Sequence, residues 1–233
     1  MSLSIDARHC GAVYIIRCSG RIVAGEESQV LELAIRRGLM DFRRFVIDLG
    51  GVVRVDSGGL GLMVRYLSHT RSRGGDVRLS TAPPPLANLL LVTKLTTVFK
   101  VYDSEEEAIL SFLKEPMASE NAQSNAGPAV LFIDHSSDLC AFARAFLEKH
   151  GFGVSSTCRT HDAKLLLMAG RFDYVVSGQE NSQGTLVPMA DSLKGAGQDA
   201  VIVQLPSSFR NDDPERAGAE LLRLLERPKG AGA

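Results

Sequence analysis

The sequence lacks an excess of charge of either sign: 26 Lys and Arg stand against 27 Asp and Glu, a formal net charge of -1 over 233 residues. The basic residues are scattered, so there is no electrostatic footprint of the kind that tight binding to a phosphate backbone needs, and nucleic acid is not expected as a direct partner. Long apolar runs are missing too. Those present, such as Val130 to Ile133, are far too short to span a bilayer, and no basic segment leads into an apolar signal core at the N-terminus. A cytoplasmic protein without membrane insertion is the expectation. Cysteine is scarce: Cys10, Cys18, Cys140 and Cys158 make no C-x-x-C pair and lie in or beside hydrophobic runs, the usual setting of a small buried thiol. They read as reduced and structural. His9, His69, His135, His150 and His161 show neither metal-ligand spacing nor a cysteine partner at that spacing, and no metal or cofactor is expected.

What the sequence does hold is enough hydrophobic chain, 45% against 23% charged, for two small cores. Between Lys114 and Pro128 the large side chains disappear in favour of Ser, Asn, Ala and Gly, which is linker composition. The expected division is a first domain over 1–115, a linker over 116–128 and a second domain over 129–228.

In the first half, short aliphatic runs at 12–18 and 45–49 read as strands, the second ended by Gly50-Gly51, with a further strand at 52–55. The stretch 26–40 places Val30, Leu33, Ala34 and again Leu31, Ile35 at helical spacing, with acids in its first turn and Arg36-Arg37 late, as the helix dipole favours. Leu60, Val64 and Leu67 mark a second helix closed by Gly74-Gly75. Then come a strand at 77–79, a helix at 86–92, a strand at 98–102 and a helix capped by Ser104. Strand and helix alternate, which predicts an α/β fold with a mixed sheet covered by helices. The second half repeats the alternation with strands at 129–133, 154–158, 174–176 and 201–205 and helices between and after them. A small doubly wound, flavodoxin-like parallel sheet, truncated at its end, is expected there.

Chemistry concentrates at Asp56-Ser57-Gly58-Gly59-Leu60-Gly61, a strand-to-helix junction where the first helical N–H groups lack an intrahelical acceptor and the dipole end is positive. The Ser57 hydroxyl can cap the helix there. The same position can carry a phosphate against the amides of Gly58 to Leu60, adding about -1.5 to -2 charge at neutral pH. Both readings, plain N-cap and modification site, are open from local sequence.

The run Val55-Asp56-Ser57-Gly58-Gly59-Leu60-Gly61, preceded by the strand from Arg44 to Leu49, resembles the signature of STAS-domain anti-sigma factor antagonists. Further matching features are Ser19-Gly20-Arg21-Ile22 at the end of an early strand, the Arg73-Gly74-Gly75 turn, and Leu95 to Asp103 leading into an acidic helix start. The likeness spans Ser4 to Leu113. It implies a partner-switching regulator and not an enzyme. Ser57 would be the phosphoacceptor, and Asp56, Gly58, Gly59 and Leu60 would form the partner-binding loop. The implied partners are an anti-sigma factor that is also a serine protein kinase, and a serine phosphatase; the unphosphorylated form binds and frees the sigma factor. Where many members have a second hydroxyl, this chain has Gly58. Relatives that are never phosphorylated act as scaffold subunits, which is the alternative reading.

Asp-Ser-Gly-Gly also surrounds the nucleophile of chymotrypsin-like proteases, but strand–helix alternation and the flanking Val55 and Leu60 do not fit that site. Gly58-Gly59-Leu60-Gly61 is not followed by Gly-Lys-Ser/Thr, so a P-loop is not supported. The second half resembles a two-component receiver domain stripped of its chemistry. Asp134 is followed by His135 instead of a second acid, leaving Asp134 as a remnant of a Mg²⁺ ligand set. The acceptor position falls on Gly178, with only Ser177 or Glu180 nearby, and the hydroxyl position falls near Leu205. Asp134 and Asp138 are expected to cap a helix instead, a response regulator becomes the lesser alternative, and docking or homodimerisation the expected job of this half.

Overall fold

The computed structural model describes residues 2–115, 127–178, 199–206 and 208–225. The chain divides into two compact units, Met1–Ser119 and Glu120–Ala233. Most of the expected linker, 116–126, the expected end of the second domain, 226–228, and Glu180 lie outside the described residues.

In the first unit, β1 (Ser4–Cys10) and β2 (Val13–Ile22) form an antiparallel hairpin whose tight turn places Gly11 at φ 56, where glycine carries no Cβ penalty. No strand was expected before residue 12. Of the seven residues of β1 only Cys10 is buried, so the strand carries almost no apolar pattern of its own and exists because β2 supplies its ladder. β3 (Arg44–Val55) then runs parallel to β2, and β4 (Asp76–Ser80) and β5 (Lys100–Tyr102) follow in parallel, for the order β5-β4-β3-β2-β1.

The expected break of β3 at Gly50-Gly51 does not occur: one strand passes through both. Gly51 serves packing there, since a Cβ on it would stand 2.3 Å from the Ser19 Oγ on β2. Pairing with β2 shifts register at this point, between Arg17 and Ser19 and again between Gly20 and Arg21, which lets the long strand bend without ending.

α1 (Glu26–Gly38) buries Leu31 and Ile35, and α2 (Ser57–Ser72) buries Leu60, Met63 and Leu67, against Ile16, Phe45, Ile47 and Leu79 on one sheet face. α3 (Pro84–Val92) starts with proline in its first turn, where the missing N–H costs no hydrogen bond. α4 (Glu105–Lys114), capped by Ser104 through the Glu107 amide, packs against β2 to β5. The strand positions facing it include the buried Arg78, whose guanidinium lies 3.7 Å from the Phe112 ring centroid and is paired with Glu115.

In the second unit β6 (Ala129–Ile133), β7 (Gly153–Thr157), β8 (Tyr174–Ser177) and β9 (Val201–Gln204) are all parallel in the order β7-β6-β8-β9. α5 (Ser137–Lys149), α6 (Thr160–Ala169) and α7 (Pro214–Leu225) accompany them. Phe132, Ala143, Leu147, Val176 and Leu221 anchor the core. α7 approaches α5 so closely that a Cβ at Gly218 would lie 2.1 Å from the Phe146 ring. No helix among the described residues is long and apolar enough to cross a membrane.

Candidate functional site

The site grows from the end of β3. Asp56 has φ -107 and ψ -179, an extended conformation, and its backbone N–H donates to the Ile22 carbonyl at 3.3 Å. Held there, Asp56 and not Ser57 is the N-cap of α2. Its Oδ1 accepts from the Gly59 amide at 2.9 Å while its carbonyl accepts from the Leu60 amide at 3.0 Å. The expectation that Ser57 caps the helix is therefore corrected by one residue. Both residue types are good caps, and the neighbouring strand decides between them. The carboxylate does a second job, accepting from the Ala24 amide at 3.2 Å on Oδ1 and 3.1 Å on Oδ2, and so ties the β2–α1 connection to α2. The Gly59 amide first, then that of Ala24, hold the Asp56 carboxyl below the ordinary carboxylate range.

Ser57 is the first residue of α2, is exposed, and its hydroxyl takes no partner among the described residues. Gly58 beside it is exposed, whereas Gly59 and Leu60 are buried in the first helical turn. Of the four residues expected to form a partner-binding loop, two thus face the interior, because the turn is already helix. A second correction follows for the anion site. The Gly59 and Leu60 amides are engaged by Asp56, so they do not stand open for a phosphate on Ser57.

The glycines differ in purpose. A Cβ on Gly59 would stand 2.2 Å from the Ile22 carbonyl oxygen, and one on Gly58 would stand 2.7 Å from the Ala24 Cβ, while one on Gly61 would meet nothing within 4 Å. Only Gly59 is a close-approach glycine against backbone. Gly61 and Gly58 line a groove of about 450 Å³ between α1 and α2, with Ala24 and Ser28 on the α1 side. Its far end is set by Glu32, which accepts from Arg36 at 2.6 Å and Arg65 at 3.1 Å. The Tyr66 hydroxyl, then the two arginines, hold the Glu32 carboxyl below its ordinary value. This rim was not anticipated. Glu32 and Arg36 stand at i,i+4 spacing, but nothing in the sequence points to Arg65. Val30, Leu33 and Val53 on α1 and β3 are exposed apolar side chains of the same unit.

In the second unit the helix caps also differ from expectation. Ser136 caps α5 by accepting from the Leu139 amide at 3.2 Å, while Asp134 closes the preceding turn by accepting from the Ser136 amide at 2.7 Å and Asp138 lies in the first turn. A Cβ at Gly178 would lie 1.6 Å from the Asp134 Oδ2, so that carboxylate occupies the space a side chain at 178 would need. Among the described residues no group of three or more His, Cys, Asp or Glu is placed to hold a metal ion.

Comparison with known proteins reaches the first unit. An anti-sigma F factor antagonist of Paenibacillus polymyxa is 28% identical over 112 residues, which is 47% of this chain and 94% of that protein. Among solved structures, an anti-sigma factor antagonist from Mycobacterium paratuberculosis is 22% identical, covering 47% of this chain and 93% of that one, with a TM-score of 0.41. The phosphorylated Bacillus cell fate determinant SpoIIAA is 16% identical, covering 47% and 99% respectively, with a TM-score of 0.41. The family model that matches is that of the STAS domain, over residues 4–108.

Proposed function

We propose that the first unit is an anti-sigma factor antagonist that works by binding, with Ser57 as a phosphoacceptor that decides whether the partner docks. The observation that carries this reading is the division of labour at the head of α2: Asp56 caps the helix, and the Ser57 hydroxyl is exposed and without a partner among the described residues. Modification of Ser57 leaves the cap in place. Because Asp56 takes the Gly59 and Leu60 amides, a phosphate of about -1.5 to -2 charge has fewer helix amides to bind and adds its charge to the surface beside the α1–α2 groove. A partner shaped for the neutral hydroxyl then meets a dianion it must desolvate. The name of the Paenibacillus relative supports an anti-sigma factor as that partner. In the proposed cycle the anti-sigma factor is itself a serine kinase, and a serine phosphatase restores the hydroxyl, in the cytoplasm.

The second unit is proposed as a receiver-like domain that has lost phosphoryl transfer and serves for docking. Its support is the parallel β7-β6-β8-β9 order together with Gly178 at the acceptor position and the Asp134 carboxylate filling that space.

The test is titration calorimetry of the full chain against serine-kinase anti-sigma factors of the same cell, with phosphopeptide mapping after incubation with ATP. Ser57→Ala is expected to bind like the unmodified protein and to accept no phosphate at this site, while Ser57→Asp and Ser57→Glu bind at least tenfold more weakly at unchanged melting temperature. Equal binding by wild type and both acidic variants would sink the switch. Phosphate incorporation that survives Ser57→Ala points to a response regulator, and stable association with no phosphate on Ser57 points to a scaffold subunit.

A further inference from the structure

Cys140 and Cys158 are 18 residues apart in sequence, yet their Sγ atoms lie 3.9 Å apart in the second unit. Cys140 is buried near the start of α5, and Cys158, directly after β7, is partly exposed. The pair sits where β6 and β7, paired through Ile133 and Thr157, come to their carboxyl ends, the edge at which parallel α/β sheets place their reactive groups. The Cys140 thiol donates towards the Asp134 carbonyl at 3.3 Å and approaches that of Thr157 at 3.7 Å. Cys10 and Cys18 are buried in the other unit and serve as internal controls within the same chain.

We propose that Cys140 and Cys158 form a redox-active dithiol, a modification site that a peroxide closes to an intramolecular disulfide and a dithiol reductant reopens. Cys158 is the accessible partner and reacts first. Its thiolate sulfur attacks one peroxide oxygen, the O–O bond breaks, and the departing hydroxide takes up the proton that Cys158 released, leaving as water with a sulfenic acid on Cys158. Cys140 then gives up its thiol proton and its sulfur attacks the Cys158 sulfur. The S–O bond breaks and the hydroxyl leaves with that proton as a second water. Two thiols lose two electrons and the peroxide gains them. Closure draws the sulfurs from 3.9 Å to about 2.05 Å and removes the S–H donor from the Asp134 carbonyl, so the turn at 134–136 and the exposed His135 change with it.

The experiment exposes the reduced full chain to hydrogen peroxide and maps its peptides without reduction. The expected result is a Cys140–Cys158 cross-linked peptide, a fall in maleimide-reactive thiols from four to two after denaturation, and full recovery with dithiothreitol. In Cys140→Ser the reaction should stop at a sulfenic acid on Cys158 that dimedone traps. If that variant does not fold, the wild-type peptide map decides alone. Four thiols surviving the treatment, a sulfinic acid on wild-type Cys158 without a cross-link, or a disulfide-linked dimer would each overturn the assignment.

Discussion

The head of α2 contains three glycines that look alike in sequence and are expected to respond oppositely to the same substitution. At Gly59 an added Cβ would stand 2.2 Å from the Ile22 carbonyl oxygen and 2.9 Å from the Ile22 Cγ2. Backbone cannot rotate out of the way, so α2 must retreat from β2 by about 1 Å, pulling on the Asp56–Ile22 hydrogen bond as it goes. Overpacking of this kind costs about 1–3 kcal/mol and more when the obstacle is backbone, against a gain of about 1 kcal/mol from alanine's higher helix propensity. Gly59→Ala should therefore lose up to about 2 kcal/mol net, towards the upper end because the obstacle is backbone. At Gly61 nothing lies within 4 Å of the added carbon, so Gly61→Ala keeps the propensity gain, about 0.5–1 kcal/mol, and stabilises. Gly58→Ala falls between them, because its obstacle is the Ala24 methyl on an exposed connection. Hydrogen exchange of the β3 amides across a urea series reads the first unit separately from the second. A Gly59→Ala variant more stable than wild type would refute the close approach of α2 to β2, and a Gly61→Ala variant that loses stability would refute the open space at that position.

Two further outcomes are expected. Asp56 has its carboxyl held low by the Gly59 and Ala24 amides, so its contribution is full above the ordinary carboxylate pKa and is lost as pH falls through the lowered folded value. The melting-temperature gap between wild type and Asp56→Asn should accordingly be widest near pH 7 and shrink below about pH 4; a gap that stays constant across that range removes the charge from the account. In the second unit, Gly178→Ala should push the Asp134 carboxylate off the Ser136 amide and cost about 1 kcal/mol, the worth of one such hydrogen bond. The same change made on an Asp134→Ala background should cost less, and additive losses in that double-mutant cycle would refute the contact.

Much of this protein was written locally. The alternation of aliphatic runs with 3.6-residue periodicity located most strands and helices, because side-chain burial on one face imposes those periods whatever the partner. The strand-to-helix junction at Asp56-Ser57 was equally legible, since short polar side chains before a helix satisfy its free amides. Tertiary structure decided what neighbours settle. β1 exists because β2 pairs with it, β3 survives Gly50-Gly51 because β2 shifts register alongside, and Asp56 takes the cap from Ser57 because Ile22 and Ala24 hold it extended. Likewise only the packing of α5 against β7 sets Cys140 beside Cys158, and only the end of β8 brings Gly178 under the Asp134 carboxylate. A sequence pattern reports which face a residue needs to bury, while contacts across strands and between elements depend on register and approach distance, which are fixed only when the chain has folded.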